Sequence, residues 1–209
     1  MRIVSIGAHP DDVEAGMGGT LAKHVHIGDE THTILCTLGG IVGNPEERKQ
    51  EAKSAASILG FNDVHILDYS AFKLNRPINP EFIDVIKRVL IEIDPGRVYV
   101  HSPFDYHQVH RSISNCVVAA TNDLGIKQVL FYEFISSTGY DFKPNAFVDI
   151  SDYVELKIRS MSEHKSQLDK IYMQPNVIKS LANTRYVWGK VGPDPNGMAE
   201  AFRIHKFMF

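Results

Sequence analysis

The sequence predicts an α/β fold, a mostly parallel sheet with helices on both faces, and three observations predict it. Short β-branched apolar runs alternate with stretches of helical period from the amino terminus to about residue 134, in the order β-α-β-α-β-α-β-α-β. At 209 residues and 44% hydrophobic, the chain can fill one core and is short for two, so a single domain over residues 1–209 is expected. Two clusters of histidine and aspartate follow directly on two of the apolar runs, where sheets of this class place their ligands.

The first run, residues 3–6, is too short for a helix and is broken by Gly7 and Pro10. A helix over residues 18–27 and a turn at Gly28-Asp29 lead to a strand over 31–38, which Gly39-Gly40 ends. Residues 45–59 open on Pro45 and two acids and close on Gly60, the start and stop chemistry of a helix. A strand at 64–67, a helix at 80–93 and a strand at 97–101 follow, then a helix at 109–122 and a strand at 129–134. Beyond residue 135 the pattern loosens. A loop at 136–139 and a short strand at 147–150 precede a helix capped by Ser151 or Asp152 and running to about Leu168. Residues 173–198 carry Pro175, Pro193 and Pro195 and read as an irregular arm over one edge or over the site.

A net charge of −3 leaves no basic footprint, so nucleic acid and anionic membrane surfaces are not expected partners. No apolar stretch approaches a membrane span or a signal-peptide core, which predicts a cytoplasmic protein. Cys36 and Cys116 fit no metal or disulfide framework and are expected to be reduced and buried. His24, His26, His32, His65 and His205 are scattered without ligand spacing and read as structural or exposed.

Chemistry concentrates in the two clusters. In Ala8-His9-Pro10-Asp11-Asp12-Val13-Glu14, Pro10 holds His9 extended, so that His9 and Asp12 can turn to one point while Asp11 projects elsewhere. That suggests a pair of metal ligands beside a free base. The competing reading is a helix N-cap, which stabilises a helix by about 1 kcal/mol. The second cluster, His101-Ser102-Pro103-Phe104-Asp105-Tyr106-His107-Gln108-Val109-His110, favours the metal, since two strand ends can converge on one site.

The run from Ala8 to Glu14 matches the AHPDDxE signature of the LmbE-like deacetylases, the GlcNAc-phosphatidylinositol de-N-acetylase family. Thr37-Leu38-Gly39 and Arg48 with Glu51, Ala55, Leu59 and Gly60 resemble the family's second block. The stretch from Asp105 to His110 resembles its D-x-H-x-x-H block, and Lys157, His164 to Gln167 and Ala199 to Phe202 resemble segments of bacterial members. The resemblance implies a Rossmann-like three-layer fold and a zinc-dependent hydrolase that removes acetate from an N-acetylated amino sugar or its conjugate. It implies one zinc per chain on His9, Asp12 and His110, with Fe2+ or Co2+ as substitutes. It makes Asp11 the general base and His107 the group that polarises the carbonyl. Arg48, the Gly39-Gly40 loop and Asp105 are expected on the substrate side, Arg48 competing with a surface ion pair. A homo-oligomer, trimer or hexamer, is also implied. Many members carry His-Pro-Asp-His where this chain has His107-Gln108-Val109-His110, so an orienting carboxylate is missing, and Asp105 or Glu14 is expected to compensate. The alternatives are hydrolysis of another small amide, such as a thiol conjugate or a formamide, and an inactive zinc-dependent sugar binder.

Overall fold

The computed structural model describes residues 1–39, 44–61, 63–74 and 76–208. Its elements are β1 (Arg2–Gly7), α1 (Asp12–His26), β2 (Glu30–Leu35), α2 (Pro45–Leu59), β3 (Asp63–Ile66), α3 (Pro80–Ile93), β4 (Arg97–His101), α4 (Gln108–Asp123), β5 (Gln128–Tyr132), β6 (Ala146–Asp149), α5 (Val154–Met161), α6 (Pro175–Trp188) and β7 (Ala199–Phe207). Short 3-10 turns cover Lys165–Gln167 and Ile171–Met173. The strands form one sheet in the order β3-β2-β1-β4-β5-β7-β6, parallel from β3 to β5, with β7 antiparallel to both of its neighbours. The chain winds outward from β1 through β2 to β3 and then returns to lay β4 on the other side of β1. The reversal leaves a crevice beyond the carboxyl ends of β1 and β4, where both histidine clusters emerge.

Alternate residues of each strand face opposite layers. Val4, Ile6, Ile34, Val98 and Val100 pack with Phe82, Ile86 and Leu90 of α3 and Ile113 and Val117 of α4. Ile3, Tyr99, Leu130 and Phe202 pack on the other face with Met17 and Leu21 of α1. Local chemistry explains the helices whose ends match expectation. Asn44 and Asn79 cap α2 and α3 by accepting the amides of Glu46 and Phe82, Pro45 and Pro80 stand in the first turns, and Gly60 ends α2 at φ 78°.

Helix α1 begins at Asp12, earlier than expected, and is broken at Met17, whose φ is −150°. The break is repaired from a distance. Glu200 of β7 accepts the amides of Gly19 and Thr20 at 3.1 and 2.7 Å, while Lys157 of α5 donates to the Ala15 carbonyl at 2.8 Å and to Glu200 at 2.6 Å. Leaving those three backbone groups unpaired would cost about 1–3 kcal/mol each, which explains a buried ion pair whose own contribution is close to neutral.

Four expectations need correction. Strand β2 stops at Leu35, because the next amides, of Cys36 and Thr37, bond to Gly7 and Ala8 as β1 runs out into its loop. Helix α5 starts after Tyr153 and ends at Met161. The Ser151 hydroxyl bonds to Asp149 instead of capping it, and beyond its end Ser166 is held to Glu51 of α2. The arm expected over 173–198 is mostly helix α6, with Pro175 in its first turn and Pro193 and Pro195 confined to the loop after it. Strand β7 has no counterpart among the expected elements, and it supplies the sheet's antiparallel pairs. Both cysteines are free and buried, and among the described residues no helix is long and apolar enough to cross a membrane.

Candidate metal centre and pocket

At the end of β1 the backbone turns sharply. Asp11 adopts φ 104°, a left-handed conformation that is costly for a residue with a Cβ. It occupies the N-cap position of α1 yet makes no side-chain cap bond, so the helix-cap reading does not hold for it. The turn sends the two neighbouring carboxylates in different directions.

Asp12 points into the crevice. Its Oδ2 accepts the His9 amide at 2.7 Å and lies 3.3 Å from His9 Nδ1 and 3.5 Å from His110 Nε2, while those two nitrogens are 3.4 Å apart. The three donors form a nearly equilateral triangle. Ligands about 2.0–2.1 Å from a tetrahedral zinc are about 3.3–3.4 Å apart, so this donor set fits such an ion with a fourth position open. Burial would push the Asp12 carboxyl up, but His110, His101 and His9 together hold it well below the usual range, so it is ionised.

Two of the three donors, Asp12 and His110, are backed from behind. His101 Nε2 stands 3.0 Å from Asp12 Oδ2, and its ring stacks on His110 at 3.8 Å. Burial, then His110, depress the His101 pKa to about 4. Asp105 Oδ2 lies 3.1 Å from His110 Nδ1, and Asp105 Oδ1 accepts the His107 amide at 2.7 Å. Asp105 is thus buried behind a candidate ligand and is not on the pocket wall, a correction to its expected place beside substrate. Asp105 thus backs His110 as expected in compensation for the carboxylate missing at Val109, which packs into the core. Glu14 does not share this position. It lies 3.6 Å from His164, which is buried in the turn after α5 and does not line the pocket.

Asp11 points to the other side of the crevice. Tyr172 donates its hydroxyl to Asp11 Oδ2 at 2.8 Å, and Arg48 Nη2 donates to the Pro10 carbonyl at 2.8 Å and reaches Asp11 Oδ1 at 3.4 Å. Burial, and then the charge of Asp12, push the Asp11 carboxyl up to about 6. Arg48 is 6% exposed, so the surface ion pair is excluded. Gly39 also differs from expectation: at φ 96° it does not line the cavity, and a Cβ there would run into the Arg48 guanidinium. It makes room for Arg48. Gly40 lies outside the described residues.

His107 precedes α4 and faces the cavity, its ring 4.4 Å from that of His110 and 5.1 Å from that of His9. Burial, with His110 and His9 next, lowers its pKa to about 4, so it is neutral near pH 7. The cavity measures about 540 Å³ and opens past Ser136, Ser137, Gln167 and Lys170. Tyr172 is the site residue that sequence reading misses. No local pattern marks it, because the bond from Glu51 to Ser166 places its segment over the crevice.

The wider likenesses agree with this geometry. Residues 4–121, which hold every donor of the triangle, match the GlcNAc-PI de-N-acetylase family. A diacetylchitobiose deacetylase of Thermococcus kodakarensis is 30% identical over 190 residues, covering 79% of this chain and 70% of the relative. The conserved protein TT1542 of Thermus thermophilus superposes with a TM-score of 0.81 at 26% identity over 99% of this chain and 96% of its own. GalB of Pseudomonas putida, a 4-carboxy-2-hydroxymuconate hydratase, superposes at 0.83 with 18% identity over 100% and 97%, a likeness of fold alone. With the family match spanning both strand ends that build the donor triangle, the chain belongs to the PIG-L, or GlcNAc-PI de-N-acetylase, family.

Proposed function

We propose that this chain is a metal-dependent N-deacetylase that hydrolyses the acetamide of an N-acetylated amino sugar or sugar conjugate. One zinc ion per chain is held by His9, Asp12 and His110, a donor set that also accepts Fe2+ or Co2+. The observation that carries the reading is the donor triangle with a raised, non-ligating carboxyl beside it. When bound, the ion would polarise the amide carbonyl and acidify water next to it.

The remaining steps fall to side chains. Asp11, its two oxygens aimed by Tyr172 and Arg48, takes the proton that the attacking water loses. It returns that proton to the leaving nitrogen as the C–N bond breaks, giving acetate and a free amine. Neutral His107 donates a ring N–H to the oxygen on which negative charge develops. With Arg48 engaged on the Pro10–Asp11 turn, the sugar hydroxyls are left to the outer wall, where Ser136, Ser137 and Gln167 offer neutral partners.

GalB shows that the fold also hosts a hydratase, so the test must read the bond that breaks. Metal-loaded protein is given N-acetylglucosamine, diacetylchitobiose, a thiol-conjugate amide and a formamide, and acetate, amine and formate are quantified. Acetate with an equal amount of amine from the sugars supports the proposal. Release only from the thiol conjugate or the formamide replaces the substrate, and no release from any substrate removes the reading. A homo-oligomer built on trimers rests on the family resemblance, and light scattering at micromolar concentration tests it.

A further inference from the structure

The β2–β3 edge of the sheet brings together a histidine of one strand with an aspartate and a histidine of the next. Strands β2 and β3 pair in parallel with His32 beside Asp63 and Ile34 beside His65, so His32, Asp63 and His65 stand on one face, and Glu30 joins them by the two-residue period. One donor atom from each of His32, Asp63 and His65 lies within 4.8 Å of the others. These residues lie within strands β2 and β3 at the edge of the sheet, whereas the pocket lies beyond the carboxyl ends of β1 and β4.

Two details point to a ligand. His32 Nε2 lies 3.0 Å from Glu30 Oε1, and a proton donated there leaves the lone pair on Nδ1. His32 Nδ1 is shielded from solvent and has no hydrogen-bond partner among the described residues. His65 Nε2 is in the same condition, 3.4 Å from Asp63 Oδ2 without hydrogen-bonding geometry. Two imidazole nitrogens are thus left unsatisfied next to a carboxylate whose side chain is 59% exposed and whose Oδ1 accepts the Val64 amide at 2.7 Å, leaving Oδ2 on the side of His65.

We propose that His32, Asp63 and His65 form a second metal site, which takes a divalent transition ion and clips the edge strand β3 to β2. Two imidazoles and one carboxylate favour Zn2+, Ni2+ or Cu2+ over Mg2+ or Ca2+. The donor atoms already lie within 4.8 Å of one another, His65 Nε2 and Asp63 Oδ2 at 3.4 Å, so small rotamer shifts bring them to the separation of about 3.4 Å that a tetrahedral ion requires. Strand β3 pairs with β2 alone, so the ion would add a cross-strand tie at the edge of the sheet.

The test uses untagged full-length protein and Zn2+ in equilibrium dialysis. Wild type is expected to hold two equivalents, His65→Gln one, His110→Ala one, and the double variant none. His65→Gln keeps its acetate release, which separates this site from the pocket. A double variant that binds as much zinc as His110→Ala, or a His110→Ala protein that binds none at tenfold excess, overturns the proposal. A second readout is the broadening of the His32 and His65 ring resonances of the His110→Ala protein by substoichiometric Cu2+. Unbroadened His65 resonances with Cu2+ bound overturn it equally.

Discussion

Two groups of histidine and aspartate occupy different parts of the same sheet, and they differ chiefly in what stands behind them. In the pocket, the His9, Asp12 and His110 donors are 3.3–3.5 Å apart, Asp12 and His110 are buried, and Asp105 and His101 hold them from behind. In the other group His65 Nε2 and Asp63 Oδ2 are 3.4 Å apart without hydrogen-bonding geometry and the His32 and His65 rings are 5.7 Å apart, Asp63 is open to solvent, and Glu30 is the one backing carboxylate among the described residues. The same residue types therefore carry different ordering costs on binding an ion. Side chains already fixed by packing lose little rotamer freedom, while exposed ones must be ordered by the ion itself. The backing, more than the ligand identities, marks the pocket as the place for chemistry.

The largest expected contrast is between His110→Ala and His65→Gln. The first removes one of three protein donors and with it several kcal/mol of electrostatic stabilisation, so acetate release should fall by about 10³-fold. The second should leave the rate unchanged. Equal losses in the two variants would erase the distinction between the two groups.

Asp11→Asn comes next. It retains size and hydrogen-bonding capacity but cannot take a proton, and Asn tolerates the positive φ of this position. Acetate release should drop by about 10²- to 10⁴-fold with metal content intact, whereas Asp12→Asn should weaken the metal itself. Metal lost from Asp11→Asn and kept by Asp12→Asn would mean that the adjacent carboxylates have exchanged roles.

Backing is tested directly by Asp105→Asn, expected to weaken metal binding in the pocket by about 10- to 100-fold. Glu30→Gln, its counterpart, should leave the pocket's affinity unaltered. If Asp105→Asn binds metal as wild type does, the carboxylate behind His110 is not what orients it.

The smallest effect concerns stability without metal. The Asp11 carboxyl rises from the usual 3.8 to about 6 on folding, so the folded state binds its proton more tightly than the unfolded chain. Stability from this group is present below pH 3.8 and is lost as pH rises to about 6. Chelator-treated Asp11→Asn should then be about 1–3 kcal/mol more stable than treated wild type at about pH 7.5, with a smaller gap at about pH 5. Urea midpoints at the two pH values measure it, and a gap that widens at the lower pH contradicts the sign.

How much of this is legible varies along the chain with the range of the interactions involved. The limits of α2, α3 and β4 are readable because proline, glycine and the apolar period act within a few residues. Helix α6 escapes a sequence reading because Pro175 looks like a breaker when it starts the helix, and β7 because its place is set by pairing with β5 and β6. In the site, the signature from His9 to Asp12 and the spacing of His107 and His110 are visible as motifs. So is an orienting role for Asp105 or Glu14, of which the structure takes Asp105; Tyr172 and the service of Gly39 to Arg48 are not visible, and neither is the His32, Asp63 and His65 group.

By itself, then, the sequence determined a mostly parallel α/β core, the two strand ends that carry the site and the residue types gathered there, because alternation and strand-end chemistry are local properties. Only the tertiary structure decided that Asp105 and not Glu14 stands behind His110, and that His101 stands behind Asp12. It also decided which distant groups, Lys157 and Glu200 among them, repair the broken first helix. The choices of His101, Lys157 and Glu200 are made by contacts between residues tens to more than a hundred positions apart, and no short-range pattern records which of many such pairs the packed chain will select.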